Sequence, residues 1–222
     1  MNLGTITRSD SQLRYLCQIY GLHEAEVVPE PRDYAFGRFV KVALRPAHQY
    51  ERSAEQPGEL ADENILYVVG VICDTVLYNP TAQFAGPRLS NEEQREVFTP
   101  DYLSEHGVVV TLQMLGMIEL QATQGGQSQT VTHMHGIPLA PRQHSVVATM
   151  TDEEVRAFHL SSAPGALVEM GYLTHLLGNP LFPAIALEII RQLELLIPPP
   201  AGASLGLLKR TLAWRHKVVP IG

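Results

Sequence analysis

At 222 residues, with 45% hydrophobic and 18% charged side chains, the chain has a globular composition and not a disordered one. A chain of this length buries roughly 70–75% of its unfolded surface, so it needs neither a disulfide framework nor a structural metal to stay folded. The net charge of −7 is uneven: residues 1–129 carry 9 basic and 17 acidic side chains, and residues 130–222 carry 7 and 6. An acidic front half opposes extended contact with a phosphate backbone, whose affinity comes from neutralisation by Lys and Arg.

In chain order, a short opener at residues 3–7 precedes apolar strand candidates at 14–20 and 34–44. Residues 45–64 are polar, contain Pro46, Pro57 and Gly58, and read as a long surface loop. The next strand, 65–78, is almost wholly apolar before Asp74, so it is buried on both faces or bent at Gly70, where a strand glycine marks a bulge or corner. Asn79-Pro80 and Gly86-Pro87 punctuate a loop. Ser90-Asn-Glu-Glu93 is a capping box, and Thr99-Pro100 reads as a second helix start, giving a short helical insertion over 90–106. Further strands follow at 107–120 and 129–149, the latter broken at Gly136-Ile-Pro138.

Thr151-Asp-Glu-Glu154 is the strongest local signal, a capping box with three acids in the first turn, where the helix dipole favours them. Asn179-Pro180 opens a longer helix that Pro198-Pro-Pro200 stops, with Ile185, Ile189, Leu193 and Leu196 along one side. A last helix over about 204–216 aligns Leu205, Leu208 and Leu212. The expected fold class is therefore α+β: a small closed β-barrel of about six strands over 1–150, then a helical extension over 151–222. Cys17 and Cys73 sit inside apolar strands, as free thiols do in a reducing compartment. The absence of an apolar leader and of any 18-residue apolar run points to a cytoplasmic protein.

The order Gly4-Thr-Ile-Thr7, residues 33–44, Val69-Gly-Val-Ile-Cys-Asp-Thr75 and residues 110–118 resembles the HAS barrel, shared by HerA-type translocases and ATP synthase heads. Gly136-Ile-Pro-Leu-Ala-Pro141, then Val146-Val-Ala-Thr-Met-Thr-Asp-Glu-Glu154, looks like that family's closing strand and acid-capped helix. The resemblance spans about residues 1–160. In HerA-like proteins this barrel precedes a hexameric ATPase and helps it assemble and dock a nuclease. Here helices stand where the ATPase would begin, and no Gly-x-x-x-x-Gly-Lys-Ser/Thr occurs; Gly202-Ala-Ser-Leu-Gly206-Leu-Leu-Lys209 has the wrong spacing. The resemblance thus implies a barrel protein without ATPase activity, an adaptor or assembly subunit with a P-loop ATPase or nuclease as partner and self-association through the barrel.

No catalytic motif stands out, and no cofactor is expected. Lys209, Arg210, Arg215 and Lys217 surround Trp214, the only tryptophan, a combination suited to meeting an acidic protein surface. Arg88, in the loop 84–89, is a second candidate contact. His133 and His135 alternate on a strand, so both imidazoles can face one metal, with His144 or His48 as a third ligand; a solvated edge strand explains them as well. Glu92, Glu93, Glu153 and Glu154 belong to capping boxes. Asp74 either holds a buried partner or marks where its strand leaves the core. The expected function is non-catalytic interaction or assembly. The alternatives are a metal-dependent enzyme using His133 and His135, and a barrel that binds single-stranded nucleic acid.

Overall fold

A computed structural model describes residues 1–21, 24–44, 64–78, 107–122, 128–160 and 167–215. The long loop 45–64 (apart from Asn64), the helical insertion 90–106, Arg88 and His48 lie outside the described residues.

Seven strands form: β1 (Asn2–Ser9), β2 (Arg14–Ile19), β3 (Phe39–Ala43), β4 (Asn64–Tyr78), β5 (Gly107–Ala122), β6 (Ser128–Met134) and β7 (Val146–Thr149). Antiparallel pairing runs β2-β1-β7-β3-β4-β5, and β5 pairs back onto β2, closing six strands into a barrel. Closure is possible because β5 is long enough for two partners on one edge. Its first half pairs Val109–Gln113 with β2, and its second half pairs Met117–Ala122 with β6.

The change of partner coincides with a bulge. Val69 faces Gly116 and Gly70 faces Met114, so Leu115 is the extra residue. One unmatched residue reverses the inside–outside alternation downstream. Accordingly Leu112 and Met114 point into the barrel before it, whereas Met117 does so after it. Gly116 is there because the chain leaves no room for a side chain: a Cβ would strike the Met134 carbonyl and touch the Phe158 ring. The expected irregularity at Gly70 is thus present, and β4 is also buried on both faces. Val68 and Ile72 face inward, while Val69, Val71 and Cys73 face the helices. A second bulge leaves Cys73 unmatched between Ile72 and Asp74; beyond it residues 74–77 are exposed. Asp74 is therefore where the strand leaves the core, and its carboxylate accepts from the Thr75 amide.

Two packed clusters follow from this alternation. Inside the barrel lie Leu3, Ile6, Tyr15, Cys17, Ile19, Val40, Val42, Val110, Leu112 and Met114 with their neighbours. Such small barrels are filled by side chains, not open as channels. Outside, Phe39, Val71, Leu115 and Ile118 meet the helices α1 (Asp152–His159), α2 (Leu173–Leu176), α3 (Phe182–Leu196) and α4 (Ala203–Arg215).

Helix α1 starts as its sequence dictates. Thr151 Oγ1 accepts from the Glu154 amide at 3.3 Å, and Glu154 returns a carboxylate to the Thr151 amide at 3.0 Å. Glu154 also pairs with Lys41 of β3, whose ammonium lies 5.0 Å from the centre of the Tyr67 ring. In α3 the residues Ile185, Ile189 and Leu193 are fully buried, as the stripe predicts.

Three expectations need correction. The strand expected at 34–44 begins only at Phe39: residues 31–37 turn, and Gly37 adopts φ +82°, outside strand geometry. Helix α3 begins at Phe182 and not at Pro180, since Asn179 caps a preceding turn, its carbonyl accepting from the Phe182 amide at 2.9 Å. Pro183 takes the first-turn place where a missing amide costs nothing. The break between β6 and β7 spans 135–145, more than the Gly-Ile-Pro triplet, and includes His144 at φ +64°.

Candidate interaction surface on the last helix

Helix α4 is held by one face. Leu205 is buried and Leu208 and Leu212 are partly buried against α3 and its surroundings. Across the same junction Lys209 Nζ donates to Glu194 Oε2 at 2.7 Å. At the same, C-terminal end of α3, Arg156 of α1 donates to the Leu196 carbonyl at 2.9 Å, satisfying a C-terminal acceptor. These contacts fix which side of α4 faces outward.

That outward side carries Leu207, Arg210, Thr211 and Trp214, spaced i, i+3, i+4 and i+7, so they lie together on the helix surface. Trp214 is 87% exposed and Leu207 70%. Arg215, in the last turn, suits the negative end of the helix dipole. Among the described residues, no ion pair engages Arg210 or Arg215, while the exposed Lys209–Glu194 pair is a surface link worth under about 1 kcal/mol. Of the residues expected to meet a partner, Arg210, Trp214 and Arg215 thus stand open, and Lys209 serves to hold the helix.

The histidines part company. His133 pairs with Ile118 through its backbone in β6, but its side chain lies outside the described residues. His135 turns into the protein: its Nδ1 accepts from the Gly171 amide at 3.2 Å, and its Nε2 lies 3.4 Å from the Phe158 carbonyl. Its ring packs edge-on to Phe158 and Tyr172. Both nitrogens therefore face protein groups, and a metal at His135 would have to displace them. His144 is exposed on its loop, its amide donating to Ile6. Among the described residues no three His, Cys, Asp or Glu side chains converge as a metal site.

A buried polar pair escaped the sequence reading. His159, fully buried in α1, contacts the Val155 carbonyl through Nδ1 at 2.7 Å and the Tyr172 hydroxyl through Nε2 at 2.8 Å. A carbonyl can only accept, so Nδ1 carries the proton and, in the neutral ring, Nε2 accepts from Tyr172. Burial raises the Tyr172 hydroxyl well above its ordinary range, which keeps it a donor. With Phe39, Phe158 and His135, the pair forms an aromatic knot beneath the helices. A lone Phe-His in a helix gives no spacing signal of this, because its partner arrives from Tyr172.

Neither cysteine suits nucleophilic work. Cys17 and Cys73 are free and buried, and burial pushes the Cys17 thiol up to about 12, far from the thiolate that chemistry needs. Among the described residues, no helix is long and apolar enough to cross a membrane.

No curated protein matches the chain. Residues 1–220 match the model of a domain of unknown function, DUF8166, and over that span the chain belongs to this family.

Proposed function

We propose that the protein works by binding: a non-catalytic interaction and assembly subunit, acting in the cytoplasm as adaptor of a HerA-like ATPase/nuclease system. The observation that carries the binding role is Trp214, 87% exposed on a well-anchored helix between Arg210 and Arg215. A large aromatic beside guanidinium groups is the composition of interface hot spots. The filled barrel interior supports the same reading, since its packed side chains occupy the place where a ligand-binding barrel holds its ligand. The partner class comes from the resemblance to the HAS barrel, a fold-level analogy. The barrel itself does not contact nucleic acid, given the acidic balance of its sequence.

Affinity capture of the tagged protein from its own lysate tests the reading. Recovery of a P-loop ATPase or a nuclease, lost on Arg210→Glu with Trp214→Ala but kept by Leu177→Ala, is the expected result. Recovery of no such chain, or equal recovery with the α4 variant, defeats it.

A further inference from the structure

Among the described residues nothing covers the outward face of α4, and the sequence from Leu195 onward carries charge of one sign. From Leu195 onward the sequence holds four basic residues, Lys209, Arg210, Arg215 and Lys217, and no acidic one. Lys209 is committed to Glu194 and Lys217 lies outside the described residues, which leaves the guanidinium groups of Arg210 and Arg215, on either side of Trp214 in the sequence, as the charge this face presents among the described residues.

A complementary surface stands elsewhere on the same chain. Residues 24–36 carry Glu24, Glu26, Glu30 and Asp33 against a single base, Arg32. Set among them, Val27 is 64% exposed and Phe36 40%. The loop is built, not loose. The Glu24 carboxylate accepts from the Gly21 amide at 2.7 Å, that of Asp33 from the Glu30 amide at 2.9 Å, and Pro29 is buried. At its end, the Gly37 carbonyl accepts from Gln192 of α3 at 3.0 Å. The preorganised loop thus shows exposed apolar side chains along an acid-rich run, and α4 shows exposed apolar side chains with Arg210 and Arg215 nearby in sequence. Both apolar centres remain open within this chain, since Trp214 and Val27 are exposed, and among the described residues the one guanidinium that meets the loop's carboxylates is that of Arg32, 3.0 Å from Glu30 in a solvent-exposed pair.

We propose that the α4 face of one copy docks on the 24–36 loop of a second copy, Trp214 and Leu207 against Val27 and Phe36, Arg210 and Arg215 against Glu24, Glu26 and Glu30. The occupant is a second copy because both the apolar and the charged halves of the match are encoded in this one sequence. Two unlike surfaces meet, so two such contacts about a two-fold axis close a dimer, and otherwise the contact propagates into a ring or chain. The opposite charges steer encounter and fix register, while the apolar centre supplies affinity. This rests on the reading of α4 as a binding element, and it names what that element binds.

Sedimentation velocity of the purified full chain over a range of concentration and salt tests it. The expected result is concentration-dependent association that weakens with salt. Arg210→Glu with Arg215→Glu weakens it at least about tenfold, as does Glu26→Arg with Glu30→Arg, and mixing the two variants restores it. Far-UV circular dichroism checks that each charge-reversed chain remains folded. Trp214 fluorescence gives a readout free of any substitution: emission is that of water-exposed indole in the dilute monomer and shifts to the blue on association. A wild-type chain that stays monomeric, an assembly indifferent to both reversals, or blue-shifted emission already in the monomer overturns the proposal. So does a monomer that instead binds anionic vesicles through α4. A monomeric chain that still captures an ATPase or nuclease through Arg210 and Trp214 defeats self-docking alone. Self-assembly without such capture defeats the adaptor reading alone.

Discussion

Cys17 carries the effect of barrel closure on a single side chain. In the folded protein its thiol ionises only near about 12. In the unfolded chain it ionises near about 8.5. Between those values the native state keeps a proton that the unfolded state loses. Its contribution to stability is therefore whole below about pH 8.5 and falls by about 1.4 kcal/mol per pH unit above it. Urea titrations at neutral and alkaline pH should record this loss, and Cys17→Val should flatten it in part, since Cys73 is shifted the same way by burial. An unchanged slope in the variant would mean that solvent reaches the thiol. The His159–Tyr172 contact is the other residue-scale device. Removing the hydroxyl with Tyr172→Phe takes the donor from a fully buried imidazole and should cost about 1–3 kcal/mol in urea denaturation. At this scale the sequence was most legible where chemistry is local. Asp74 ending an apolar run and Glu154 three residues after Thr151 both do what their neighbours imply. Lys41 and His159 were illegible because their partners lie far along the chain.

At the scale of elements, the junction of β3 with α1 shows how a local motif acquires a tertiary role. The capping box alone would orient Glu154 toward the helix start, and the Lys41 ammonium then makes that carboxylate the tie between barrel and helix. Both side chains are largely buried, so Lys41→Met should destabilise by about 3–5 kcal/mol through the charge it leaves behind. Thr151→Ala, which removes only a cap, should cost nearer 1 kcal/mol. If the two losses were equal in thermal unfolding, the ion pair would contribute nothing beyond the cap. Strands and helices with strong periodicity, such as β4, β5 and α3, could be read to within a few residues, because burial of one or both faces imposes the pattern. Residues 34–38 were misread as strand because their apolar character serves a turn, and Gly37 alone carried the signal. The four-residue α2 lacks any side-chain cap and so any start signal.

For the whole molecule, the sequence supplied enough strands for a barrel but not the pairing that closes it. Closure lies in the register of β2 against the first half of β5, set by backbone hydrogen bonds between residues nearly a hundred positions apart. Nor was it apparent that β6 would stand outside the ring, extending the sheet along the second half of β5. The candidate surface was legible in outline, since the Trp214 cluster is a compositional oddity, but only the packing of Leu205 and Lys209 decides which of its residues face outward. The architecture makes one further claim that can be tested as a difference between two substitutions. Leu112→Ala empties part of the barrel core and should lower global stability by about 2–5 kcal/mol, loosening every strand together. Gly116→Ala places a methyl against the Met134 carbonyl and the Phe158 ring, at the seam where β6 and α1 lean on β5. If β6 is an annex to a self-contained ring, hydrogen exchange should quicken in β6 and α1 while β1, β2 and β7 keep their protection. Uniform loss of protection in the Gly116 variant would instead make β6 an integral part of the cooperative unit, and the six-strand ring unable to stand without it.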